Sequence, residues 1–302
     1  MASGSKAVIY AALAGNCLIS ITKFIAAGMT GSSAMLSEGI HSLVDTGNQG
    51  LLLYGLKRAE KPADEDFPFG HGKEVYFWSF IVAILIFALG GGISIYEGVK
   101  HLLHPEPMSN PMINYIVLSL AMLFEGAAWY FAFRAFNRQR GQDGFIEAIK
   151  NAKDPSIFVV LFEDSAAMLG LVVAFAGIVL SQVTGLLFFD GLASVIIGLI
   201  LVGTAIWLAH ETKGLLIGER ANYPVIQGIR RELEHESSID HVNEVLTMHM
   251  GPDFILATIS VDFDDNRSVG EVETTIASID TRIKQAFPQV KRIFIEAEKK
   301  PA

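Results

Sequence analysis

Long apolar runs set the first constraint on this chain. A helix needs about 20 mostly apolar residues to cross the hydrocarbon core of a bilayer. Six segments reach that length: 7–27, 33–56, 75–99, 112–133, 155–181 and 186–209. They are too long and too unbroken to be strands. Hydrophobic residues fill 51% of the 302 positions and charged residues only 18%, below the share usual in soluble domains. The charge is also uneven, with 16 acidic and 11 basic residues in the last 92 positions. The pattern predicts a polytopic α-helical membrane protein with six transmembrane helices, residues 1–210, followed by a soluble domain, residues 211–302. A net charge of −9 argues against a nucleic-acid partner. The single cysteine, Cys17, excludes an intramolecular disulfide and cysteine-based zinc ligation, and reads as a small packing residue. The opening MASGSK is too short for a signal or transit peptide.

Orientation follows from the basic loops. The second loop carries Lys57, Arg58 and Lys61, and the fourth carries Arg134, Arg138, Arg140, Lys150 and Lys153. The first and fifth loops have no Lys or Arg, and the third has only Lys100 at its edge. The even loops and both termini are therefore expected in the cytoplasm. The tail reads as αββαβ: a helix at YPVIQGIRRELEHESS, strands at HVNEVLTMHM and FILATISVDF, a helix opening at Ser268, and a strand at VKRIFIEAE. Ser268 and Glu271 have the spacing of a capping box. This is an α+β, ferredoxin-like arrangement. His241 and His249 lie on one strand, eight residues apart, so a regular strand would turn them to the same side about 27 Å apart, too far to share an ion.

Ionisable residues in apolar helices demand a reason. The second helix carries Glu38, His41 and Asp45, and the spacing of His41 and Asp45 puts them on one face. An imidazole and a carboxylate placed so can hold a borderline divalent metal such as Zn²⁺ from one side, or simply bond to each other. The fifth helix carries Glu163 and Asp164, about 100° apart around the axis, so only one can face a given neighbour. Asp190 reads as the N-cap of its own helix. Lys23 either snorkels or pairs with an acid, and Glu97 and Glu125 are placed near helix ends. In the second loop, DEDFPFGHGK offers Asp64, Glu65, Asp66 and His71, with Glu74 just beyond, for a second metal; the plainer reading is a solvated acidic loop. Gly70 and Gly72 allow a tight turn around His71, and Lys73 is positioned in sequence to form an interdomain salt bridge with Glu219.

Taken together, SSAMLSEGIHSLVDTGNQ, FPFGHGKEVYFWS, the acidic fifth helix, FFDGLASVIIGLIL and the αββαβ tail resemble the cation diffusion facilitator family of metal–proton antiporters. LFEDSAAMLG and RIFIEAE resemble its zinc-transporter-nine branch. The resemblance implies a homodimer in the cell (inner or plasma) membrane whose cytoplasmic domain is metallochaperone-like. It implies export of a divalent cation, Zn²⁺ before Mn²⁺, Fe²⁺ or Co²⁺, in exchange for protons; the metal is substrate and no permanent cofactor is expected. His41, Asp45 and Asp164 match three of the family's four transport ligands, and Val160 stands at the fourth. Glu38 and Glu163 are auxiliary metal or proton candidates, and Asp64 and His71 are candidates for a loop site in which Phe67 replaces a second histidine. Asn243, Ile259, Glu273 and Glu296 stand where relatives bring histidines to the tail, so weak zinc binding is expected there. Two other classes remain: a metal-gated channel or sensor read by the soluble domain, and an intramembrane metallohydrolase with Glu163 as the spare base. The second lacks any GxSxG or HExxH motif.

Overall fold

Polar side chains lie buried among apolar ones in the interior of the helical part, and apolar ones cover its outside. Lys23, Glu38, His41, Asn48, Glu163 and Asp190 are buried, whereas Leu18, Ile25, Met112, Leu123, Phe131, Val172 and Leu199 are exposed. That inversion suits a protein whose surroundings are hydrocarbon. Cys17 belongs to the outside; it is exposed instead of packed. The computed structural model describes residues 3–139, 144 and 153–300. Arg140 and Lys150 of the basic fourth loop lie outside the described residues.

The helices follow in chain order: α1 (Ser3–Thr30), α2 (Ser33–Ala59), α3 (Glu74–Leu85), a π-helical stretch (Ile86–Gly92), α4 (Ile93–Leu103), α5 (Pro111–Gln139), α6 (Pro155–Thr184) and α7 (Phe188–Ile217). Proline opens α5 and α6, where its missing N–H leaves no helical bond unmade. Gly31, at φ 72°, ends α1 in the left-handed conformation and donates its N–H to Ala27 O at 2.8 Å. Four described segments are long and apolar enough to cross a bilayer: Glu74–Leu103, Pro111–Arg134, Phe158–Thr184 and Phe188–Ile217. The first runs unbroken through α3, the π-helical stretch and α4. α1 supplies a shorter apolar stretch, Asn16–Thr30. α2, at 27 residues, has the length but is not among the four, because polar groups interrupt it.

Glycines let α4 and α7 touch backbone to backbone. A Cβ on Gly98 would stand 2.7 Å from Val195 N and 2.8 Å from Gly191 O, and one on Gly198 would stand 2.9 Å from Gly91 O. Small residues of this kind are how helices approach closely where lipid gives no hydrophobic drive between them.

The chain divides into two compact units, Met1–Lys57 with Phe77–Thr212, and Arg58–Tyr76 with Lys213–Ala302. The α2–α3 loop thus belongs to the same unit as the tail. There α8 (Tyr223–Glu234), β1 (Ile239–Gly251), β2 (Phe254–Phe263), α9 (Val269–Ala286) and β3 (Val290–Ala297) give the expected αββαβ order. The mixed sheet runs β1-β2-β3, with β1 antiparallel and β3 parallel to β2. Its core joins Val225, Ile229 and Leu233 of α8 to Val245, Ile255, Ile259, Val261, Ile279, Ile283 and Val290. The capping box is present: Ser268 Oγ accepts from Glu271 N, and Glu271 Oε2 accepts from Ser268 N at 2.8 Å. The regular-strand expectation for His241 and His249 fails. A register shift between Val242 and Glu244 inserts an extra residue, leaving His241 exposed and His249 buried at 3% exposure.

Candidate functional site

Glu38, His41, Asp45 and Asn48 recur at helical spacing on one stripe of α2. Glu38, His41 and Asn48 are at most 1% exposed. His41 Nδ1 lies 3.3 Å from Asp45 Oδ1, as the spacing predicted. Neither ring nitrogen of His41 makes a hydrogen bond, nor does Asp45 Oδ1. A buried polar group left so costs roughly 1–3 kcal/mol, and these atoms are donors available to a ligand.

From α6, Glu163 accepts from Asn48 Nδ2 at 2.6 Å and lies within hydrogen-bonding reach of Asp45. Asp164 is partly buried and close enough to Asp45 for their charges to interact. The next residue, Ser165, turns to α5, accepting from Trp129 Nε1 at 2.9 Å. Of the adjacent acids, Glu163 is therefore the one bonded to α2. Asn48 went unnoticed in the sequence, although its position seven after His41 was the available signal. Among the described residues, no three His, Cys, Asp or Glu side chains are grouped so as to hold a metal ion; the donors stand in pairs.

Beside this stripe lies a buried cation. Lys23 Nζ, fully enclosed, donates to Glu38 Oε2 at 3.0 Å, Ser42 Oγ at 2.7 Å and Glu125 Oε1 at 2.8 Å. Lys23 thus pairs with acids and does not snorkel. Glu125 is not near a helix end, since α5 extends from Pro111 to Gln139 around it.

At the start of α2, Asp190 also departs from its expected role. It caps α2 and not its own helix, accepting from Ser33 N and Ser32 Oγ, each at 2.6 Å. His101 Nδ1 is 3.5 Å from Asp190 Oδ2. A cavity of about 300 Å³ opens there, lined by Ser32, Ser33, Glu97, His101, His104 and Glu106 among others.

In the α2–α3 loop, Asp64 Oδ2 lies 2.9 Å from His71 Nε2, and Asp64 Oδ1 accepts from Phe67 N at 2.8 Å. The His71 bond, then the Phe67 N–H, hold the Asp64 carboxyl below its ordinary range. Phe67 packs its ring 4.5 Å from that of His71, and Glu74 Oε1 lies 3.9 Å from His71 Nδ1 while pairing with Arg58 at 2.9 Å. Gly70, at φ 81°, makes the tight turn. Gly72 is glycine for another reason: a Cβ there would strike the Met250 carbonyl. Lys73 Nζ reaches Met248 Sδ at 3.7 Å, while Glu219 O accepts from His249 N at 2.9 Å.

Residues 9–217 match the family described as the cation efflux transmembrane domain. The chain is 33% identical over 263 residues to the mitochondrial proton-coupled zinc antiporter SLC30A9 of Mus musculus and to that of Homo sapiens, covering 86% of this chain and 46% of each relative. It is 30% identical over 262 residues to metal tolerance protein C4 of Arabidopsis thaliana, covering 86% of this chain and 57% of that one. The chain thus spans about half the length of these curated relatives.

Proposed function

The chain belongs to the cation diffusion facilitator (cation efflux) family of membrane transporters, on the zinc-transporter-nine branch, and from that premise we propose that it exports a divalent transition metal from the cytoplasm in exchange for protons. Zn²⁺ is the first substrate, with Mn²⁺, Fe²⁺ and Co²⁺ as further ones. The animal relatives are named proton-coupled zinc antiporters, which supports the exchange. The observation that carries the reading is the pair of buried His41 and partly buried Asp45, with three atoms lacking hydrogen bonds, beside the Glu163–Asp164 acids of α6.

The chemistry follows from that donor set. His41, Asp45 and Asp164 bind the cation, and Glu163 serves as the auxiliary acid in place of the ligand that Val160 cannot supply. An imidazole nitrogen with carboxylate oxygens suits Zn²⁺. Binding requires neutral imidazole and ionised carboxylate, so protons compete for the same atoms. Rocking of the bundle exposes the site to the far side, where protonation releases the metal, and the protonated site returns. The protein works as a homodimer in the cell membrane with both termini cytoplasmic, residues 1–210 transporting and residues 211–302 pairing. Asp64 and His71 form an auxiliary loop site, and Lys73 pairs with Glu219 within the unit that joins the loop to the tail.

Flux of Zn²⁺, Mn²⁺, Fe²⁺ and Co²⁺ into proteoliposomes, with and without a pH gradient, tests the reading. Saturable Zn²⁺ uptake accelerated by an opposing proton gradient is expected. Uptake that neither saturates nor responds to pH would favour a metal-gated channel.

A further inference from the structure

The Lys23 cluster lies beside the transport ligands and is not among them: Glu38 shares their stripe of α2, and Glu125 is close enough to Asp45 for their charges to interact. An ammonium has three protons to donate, and Lys23 places all three, on Glu38 and Ser42 of α2 and on Glu125 of α5. Each acid gives the ammonium one oxygen and keeps another: Glu38 Oε1 and Glu125 Oε2 are buried and make no hydrogen bond. Glu38 is wholly buried, so its second oxygen has no water to turn to. One ammonium therefore sits between two carboxyl groups, each with an oxygen that makes no hydrogen bond. Without the ammonium, Glu38, Glu125 and Ser42 would make an all-oxygen set, the kind that hard cations such as Mn²⁺ prefer over imidazole-containing sites.

We infer that Lys23 is a specificity-determining residue: a tethered cation that fills an oxygen site beside the transport ligands and keeps a hard divalent ion from occupying it. The inference rests on the proposed transport site lying at His41, Asp45 and Asp164. Lys23 denies Glu38 and Glu125 to any metal, so the path is left to the imidazole-bearing donors next to it. It touches no transported ion and acts by holding two carboxylates.

The test is metal binding by the purified full-length protein in detergent, with Mn²⁺ followed by electron paramagnetic resonance and Zn²⁺ by calorimetry. K23M should bind Mn²⁺ at least about tenfold more tightly than the wild type, because carboxylates freed of a counter-charge set affinity for hard cations. K23M/E125Q should lose that gain, and K23R, which keeps the charge, should show none. A lysine that only ties helices together would change stability in K23M but would create no Mn²⁺ site. A folded K23M with wild-type Mn²⁺ affinity overturns the inference. Should K23M fail to fold, K23S decides in the same Mn²⁺ measurement, since its hydroxyl can still bond a buried carboxylate and its small side chain leaves room for an ion. A folded K23S with wild-type Mn²⁺ affinity overturns the inference equally. If the wild type itself binds no Zn²⁺, the transport reading fails, while a Mn²⁺ gain in K23M would still stand.

Discussion

At the scale of single residues, the site is governed by which atoms are left without partners. Asp45→Ala and Asp164→Ala should each abolish Zn²⁺ flux while leaving insertion intact, since each removes an intramembrane carboxylate from the donor set that binds the cation. Wild-type flux in both variants would place the site elsewhere. Glu163→Gln keeps the shape of the side chain that receives the Asn48 amide but can no longer take a proton. Slower Zn²⁺ flux with a weakened response to the pH gradient is the expected outcome, read in the same vesicles. Val160→His adds a nitrogen one turn before Asp164, and should tighten Zn²⁺ relative to Mn²⁺ because a fourth strong ligand favours tetrahedral geometry. The His41–Asp45 pair was legible in the sequence because i,i+4 spacing fixes a shared face locally. The Lys23–Glu125 pair was not, because it joins residues 102 apart on different helices and no local pattern reports it. The choice between Glu163 and Asp164 was equally hidden: adjacent acids differ only in the helix's rotation, which tertiary packing decides.

At the scale of elements, caps and small residues decide where helices begin and how closely they meet. Ser268→Ala removes the acceptor at the start of α9 and should cost about 1 kcal/mol in unfolding of the tail unit by denaturant. Glu271 answers the same box, and its bonds to Ser268 hold its carboxyl below the ordinary range. A depressed carboxylate stabilises the fold above its ordinary pKa, and that contribution is lost as pH falls through the lowered folded value. Acid titration should therefore loosen the start of α9, seen as a shift of the Ser268 amide signal that is absent in Glu271→Gln. The capping box and the order of the tail elements were readable because each rests on neighbours in sequence. The role of Asp190 was not. Position alone made it a cap for α7, but the fold spends both its oxygens on Ser32 and Ser33 at the start of α2.

At the scale of the whole molecule, the division into two units makes a prediction about the tail in isolation. The core of α8, the sheet and α9 is closed without help from the membrane helices, so a fragment from Glu219 onward should fold alone. Leu246 and Phe294 are exposed, and both pair with Thr258, so they share one face of the sheet. An apolar face of this kind suits a second copy, and the fragment should sediment as a dimer that Phe294→Asp weakens. Its zinc affinity should be low. Ile259 is locked in the core and offers no donor, and Asn243, whose amide N–H groups bond Ser260 Oγ and Glu298 O, has only a neutral amide oxygen to offer, a weaker Zn²⁺ ligand than an imidazole. The bulge in β1 further separates His241, exposed, from His249, buried. What attraction remains is that of an acidic surface, which salt screens. Calorimetry on the fragment should find weak Zn²⁺ binding that fades as salt is raised. Submicromolar binding that survives high salt would mean that the tail holds a metal site of its own, and that zinc acts on the protein at a second place besides α2 and α6.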